Sequence, residues 1–137
     1  MRSLRVIHLI VGVAGLIAFA ATGQYMAWVH AGLQGMPDGP RLFFRSAHIY
    51  LLWGALLNLL LGCYLVRLER GALRHVQSFG SLLILAGPFM LCGSFFFEQH
   101  NPDLERPVGQ LAVVLALGGV LLQAVAALGA RARSGAS

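Results

Sequence analysis

Lysine is absent from this 137-residue chain, acidic residues number five, and four long stretches carry no charge of either sign. The charge-free stretches are residues 6–29, 46–66, 75–97 and 107–130. A soluble protein of this length sets charged residues on its exposed helix faces every few positions, so their absence excludes a water-facing globular domain. About 20 apolar residues at a rise of about 1.5 Å each cross a bilayer core of about 30 Å, and every stretch is long enough. Cysteine is nearly as scarce. Cys63 falls near one end of the second stretch and Cys92 past the middle of the third. Their depths differ by about 20 Å, whereas bridged Cα atoms lie within about 7 Å, which excludes a disulfide. No HExxH, no phosphate-cradling glycine loop and no serine or cysteine with an evident base is present, so no hydrolytic or covalent chemistry is written here.

What is present predicts an all-α fold: an integral membrane four-helix up-down bundle with helices over about 6–29, 42–66, 75–97 and 107–130. The connectors are too short to fold alone, so residues 1–131 form a single domain and 132–137 a disordered tail. Pro37-Asp38-Gly39-Pro40 and Asn101-Pro102 mark turns, and Pro107 suits a first helical turn. Pro88, after Gly87, is expected to kink helix three and to leave the carbonyl near Ile84 needing a partner. Arg2 and Arg5 before an apolar run resemble a secretory signal, but the run continues through Val29 and is read as a retained first helix.

The ten arginines set orientation. With the N-terminus in the cytoplasm, Arg2, Arg5, Arg67, Arg70, Arg74, Arg131 and Arg133 fall inside, and Arg41, Arg45 and Arg106 outside. That asymmetry places both termini in the cytoplasm. The net charge of +5 therefore points to anionic lipid headgroups, with no role for nucleic acid. Arginine-only, Gly/Ala-rich usage suggests a bacterial inner membrane.

Each helix carries a seam at spacings of three and four. The seams are His8, Gly12, Gly15, Phe19, Thr22 and Met26; then Arg41, Arg45, His48, Leu52, Ala55, Leu59 and Gly62; then Gly80, Ile84, Gly87, Leu91, Ser94 and Glu98; and finally Ala112, Ala116, Gly119, Gln123 and Ala127. Small residues there let membrane helices approach closely. The polar members need a further reason, because ionisable groups at membrane depth are costly. His8 and His75 count to one tier near the inner face, His48 to a tier on the outer side, with His30 and His100 further out. Taken singly, His75 reads as interfacial, His30 and His100 as solvated, and His8 as snorkelling or bonded to a carbonyl. His48 has least use in a purely structural site.

Two histidine tiers are the layout of di-haem electron carriers, in which neutral imidazole ligates iron. Arg5-Val6-Ile7-His8 leading to Thr22-Gly23-Gln24-Tyr25-Met26 resembles the first helix of the bacterial four-helix b-type cytochromes. These are hydrogenase and formate dehydrogenase subunits or free-standing quinol oxidoreductases. His48-Ile49-Tyr50-Leu51-Leu52 running into Asn58-Leu59-Leu60-Leu61 resembles their second helix, and Gly80-Ser81-Leu82-Leu83 through Pro88 to Gly93 their third. The resemblance implies a haem b cofactor, His8 as inner and His48 as outer metal ligand, and a quinone as redox partner. It also implies opposing histidines on helix four, where this chain has only Gln110 and Gln123. The opposing ligands would then be His75 for the inner site and His100 or His30 for the outer, or would come from a second copy in a homodimer.

A rival reading starts from the outer end. Arg41, Arg45, His48, Glu98, His100, Asp103, Glu105 and Arg106 are expected to gather there, flanked by Tyr25 and Trp28. Arg45 pairing with Glu98 is the simplest arrangement. Such a cluster suits a headgroup, a quinone carbonyl or a partner subunit. On that reading the chain is a non-enzymatic accessory or assembly subunit of a larger membrane complex.

Overall fold

The computed structural model describes residues 2–68, 71–100 and 105–134. Glu69, Arg70, the expected Asn101-Pro102 turn and Asp103 lie outside the described residues, as do the side chains of Arg2, His100 and Arg133. Four helices make up nearly everything else: α1 (Arg2–Val29), α2 (Asp38–Tyr64), α3 (Ala72–Phe97) and α4 (Pro107–Ser134). All four are long and apolar enough to cross a membrane, and the chain reads as a multi-pass membrane protein.

Helix ends differ from the apolar stretches in both directions: α2 stops at Tyr64, two residues before the expected 66, while other ends run past them. Pro37 stands at the N-cap of α2, and Asp38 in its first turn faces the positive end of the helix dipole. The helix therefore starts at Asp38, four residues before the expected 42. At the other end of the chain the expected disordered tail is partly helical, because α4 continues to Ser134. Its last turns are rich in alanine and arginine, both strong helix formers.

Burial is uneven in the way that lipid-facing helices require. Ile10, Ile17, Leu60, Phe79, Leu82, Phe89, Val114 and Leu121 are all exposed apolar side chains that only lipid covers favourably. Bundling cannot then rest on hiding apolar surface, since lipid tails are as apolar as leucine. It rests on close approach. A Cβ on Gly12 would lie 2.8 Å from the Leu59 backbone nitrogen, and one on Gly62 would lie 2.9 Å from that of Leu9. Gly80 and Gly119 face each other even more tightly: a Cβ on Gly119 would meet the Gly80 carbonyl oxygen at 2.7 Å. These contacts define two tight pairs, α1 with α2 and α3 with α4, joined through α2 and α3.

The seams expected on α1 and α3 match what is buried, from His8 through Thr22 and from Gly80 through Glu98. On α2 the expected seam captures only one of two buried faces. Ala55, Leu59 and Gly62 meet α1, but Ala47, Leu51, Gly54 and Asn58 form a second buried line beside them. A helix packed against two neighbours buries two stripes, and a single three-four spacing follows only one. Arg41 and Arg45 therefore sit off the packed face: Arg41 is half-buried and Arg45 exposed.

Polar side chains hold the α2–α3 connector and the end of α2. Gln77 of α3 accepts a bond from the Leu68 amide at 2.9 Å and donates to the Val66 carbonyl at 2.8 Å, which holds the chain leaving α2. Arg5 donates to the carbonyls of Gly62, at 3.1 Å, and Cys63, a cation on the negative end of α2. Both cysteines are free.

Candidate functional site

Two imidazoles face the α1–α2 seam at different depths. Their α2-side registers, Asn58 for one and His48 for the other, are ten positions apart in sequence, about 15 Å along the helix.

The inner imidazole belongs to His8, which is 0% exposed. Its Nδ1 lies 2.8 Å from Oδ1 of Asn58, itself 0% exposed. The orientation of that amide is fixed from its other side. Asn58 Nδ2 donates to the Gly54 carbonyl at 2.9 Å and to the Ile84 carbonyl at 3.1 Å. Ile84 stands four residues before Pro88, which has no N–H to give it. The carbonyl that Pro88 strands in α3 therefore anchors Asn58, and Asn58 can only accept from His8. Nδ1 of His8 must then carry the proton, so Nε2 of the neutral ring holds a bare lone pair. That Nε2 is buried and has no hydrogen-bond partner among the described residues. A buried polar atom without a partner requires an explanation.

The outer imidazole is His48, half-buried on α2. Its Nδ1 lies 2.9 Å from Oγ1 of Thr22. The Thr22 hydroxyl spends its only proton on the Phe19 carbonyl, at 2.9 Å, so it accepts from Nδ1–H and again leaves Nε2 as the lone-pair nitrogen. The Phe19 ring stacks on the imidazole at 3.9 Å with an interplanar angle of 18°. Gly23 makes room, because a Cβ there would come within 3.2 Å of the ring.

The other histidines do not join these two. His75 is exposed near the start of α3 and makes no hydrogen bond or ring contact with His8. The side chain of His100 lies outside the described residues. His30, expected to be solvated, is instead tucked into an aromatic cluster, 5.3 Å from the Tyr25 ring and 4.9 Å from Phe44. Its Nε2 is buried without a partner. A tight turn draws it in: the His30 carbonyl accepts from the Leu33 amide at 2.7 Å, and Leu33 is buried against Phe44 and Phe95.

The outer charged residues also separate. Glu98 does not pair with Arg45. It accepts from the amides of Val108, at 2.6 Å, and Gly109, at 3.1 Å, and from the Ser94 hydroxyl, so its carboxylate caps the positive end of α4. Arg41 pairs with Asp38 on the same helix. Arg106 lies over the Phe43 ring at 4.4 Å and the Tyr50 ring at 5.7 Å, and donates from Nη1 to Ser46. Burial pushes its guanidinium down and the facing Glu98 carboxylate pushes it back up; an arginine remains charged throughout.

Among the described residues no three His, Cys, Asp or Glu side chains gather to hold a metal ion by themselves. A porphyrin brings four nitrogens of its own and asks the protein for one or two axial imidazoles. His8 fits that demand at one position: its lone pair is buried and its far nitrogen is held by a hydrogen bond, as the far nitrogen of a ligating histidine usually is. His48 has the same pinned nitrogen in a more open setting. The glutamines of α4 offer no opposing ligand. Gln123 donates to the Gln77 carbonyl at 3.0 Å and to Ser81 at 2.8 Å, and Gln110 is exposed.

Asn58 and Thr22 are the residues whose roles the sequence left unassigned. Asn58 is the one carboxamide in an otherwise apolar stretch of 46–66, and a proline that strands a carbonyl elsewhere is the signal that it has a task. No family model, curated protein or solved structure matches this chain.

Proposed function

We propose that the chain is a b-type haem-binding electron carrier of the bacterial inner membrane, an up-down bundle with both ends in the cytoplasm and α3 bent at Pro88. His8 would ligate haem at the inner tier and His48 at the outer. The observation that supports this reading is the buried, unpartnered Nε2 of His8, aimed by a chain of bonds running from Pro88 through Ile84 and Asn58. An apolar interior does not bury a lone pair without cost, and a metal centre is the acceptor-free partner that an imidazole nitrogen suits.

Haem, when bound, supplies reversible one-electron iron chemistry, with quinol or a protein as redox partner. The chain's own part is positional. Asn58 fixes the His8 tautomer and ring plane, and Thr22 with Phe19 does the same for His48. Burial in the α1–α2 seam keeps water from the His8 ring. The opposing ligands would be His75 for the inner site and His100 or His30 for the outer, or would come from a second copy in a homodimer.

An absorption spectrum of the detergent-purified protein tests the proposal. A Soret band, present as isolated or after haem addition, weakened in His8→Ala and lost in the double variant His8→Ala, His48→Ala, is expected. Protein that stays colourless after haem addition overturns the proposal. If that colourless protein co-purifies with larger subunits, the accessory-subunit reading takes its place, for which exposed Arg45 and the Asp38–Arg41 pair offer a polar docking edge.

A further inference from the structure

The outer end holds a second unmet polar demand, independent of the imidazoles. Arg106 directly precedes α4, whose first residue is Pro107, so its guanidinium sits at the level where a bilayer has its headgroups. The planar group rests on the Phe43 face and donates Nη1 to Ser46. Nε and Nη2 are buried with no hydrogen-bond partner among the described residues. Those two nitrogens form one edge of the guanidinium fork, the edge that receives a carboxylate or phosphate through two parallel bonds.

Two of the described acids at this end are committed elsewhere. Asp38 holds Arg41, and Glu98, which faces Arg106, has its oxygens on Ser94 and the α4 amides. Beside the guanidinium lies a groove of about 420 Å³ between Arg106 and Leu42, Phe43, Ser46 and Tyr50. Leu42, Ile49 and Tyr50 are exposed on the same helix, so the groove opens onto the surface that hydrocarbon covers.

A fork at headgroup depth, wanting an oxyanion, next to an apolar groove that continues along the helix, matches one amphiphile. We infer that Arg106 is a phospholipid site: the fork takes the headgroup phosphodiester, Ser46 and Tyr50 border it, and an acyl chain lies along Leu42 and Ile49. The bonds that Arg106 otherwise lacks are then supplied by a component of the membrane itself.

Native mass spectrometry of the full chain from maltoside micelles tests this with three probes. These are phosphatidylglycerol, a galactosyl diacylglycerol with the same tails and no phosphate, and inorganic phosphate. Retention of phosphatidylglycerol at least tenfold above the galactolipid is expected, and Arg106→Gln should lower it about tenfold, the worth of a charged hydrogen-bond pair. Equal retention of the two lipids, or unchanged retention in Arg106→Gln, overturns the assignment. Binding of inorganic phosphate that competes with the lipid would make the site one for a soluble anion and overturn the lipid source. Should Arg106→Gln fail to fold, Arg106→Lys decides: it keeps the charge but not the fork, and undiminished lipid preference there counts against the inference.

Discussion

The two helix pairs close by the same means and carry different chemistry. In both, glycines bring backbones within reach of each other, Gly12 and Gly62 in the α1–α2 pair, Gly80 and Gly119 in the α3–α4 pair. The α3–α4 seam then spends its polar groups fully on structure. Gln123 ties Ser81 and the Gln77 carbonyl, and Glu98 caps α4. The α1–α2 seam holds two imidazoles, each pinned at Nδ1; among the described residues the Nε2 of His8 is buried without a partner, and His48 is half-buried. A seam that only needed to pack would resemble the α3–α4 pair. On the reading proposed above, the α1–α2 pair would be the one that carries function.

Asn58→Leu should be the most damaging way to break that difference. It strands the Ile84 carbonyl and the His8 Nδ1–H together in an apolar interior, at a cost of about 2–4 kcal/mol. The midpoint of unfolding in mixed micelles measures this, and a loss near zero would mean the bonds from Asn58 carry little. The Gly119→Ala variant tests the other pair. Its Cβ would press on the Gly80 carbonyl and should cost about 1–3 kcal/mol. Gly118→Ala is the internal control, since nothing lies within 4 Å of its Cβ, and it should be neutral or slightly stabilising.

A double-mutant cycle sharpens the comparison further. In Pro88→Ala the new backbone N–H can satisfy Ile84, so Asn58→Leu should do less harm in that background, with a coupling of about 1 kcal/mol. Additive effects would separate Pro88 from the Asn58 network. The smallest change is expected from Thr22→Val, which removes the Nδ1 acceptor of His48 while keeping shape. It should cost about 1 kcal/mol or less and should free the His48 tautomer, read from nitrogen chemical shifts of the labelled ring.

Much of this architecture was legible beforehand, for identifiable reasons. The α1 seam could be read because that helix packs chiefly on α2; on α3 the seam from Gly80 to Glu98 is buried as expected, with Gln77, Ser81, Pro88 and Phe95 forming a second buried line beside it. The need of the Ile84 carbonyl followed from Pro88 alone. The α2 face was read only in part because α2 packs on both α1 and α3. The outer charges were expected to gather and pair, Arg45 with Glu98. Glu98 instead found the amides of α4, which offer two donors and a dipole where one exposed arginine offers a single solvated charge. His30 was expected in solvent because the turn that folds it onto Tyr25 and Phe44 depends on left-handed backbone at Ala31, Gly32 and Leu33, which only Gly32 announces.

The order of residues alone determined that this chain makes four lipid-length helices, because hydrophobic length and missing charge are properties of a segment that no partner can change. Which nitrogens remain unsatisfied was decided only when the helices met. A donor or acceptor is spent or left over according to what lies within 3 Å of it, and for His8, Asn58 and Arg106 those neighbours come from other helices.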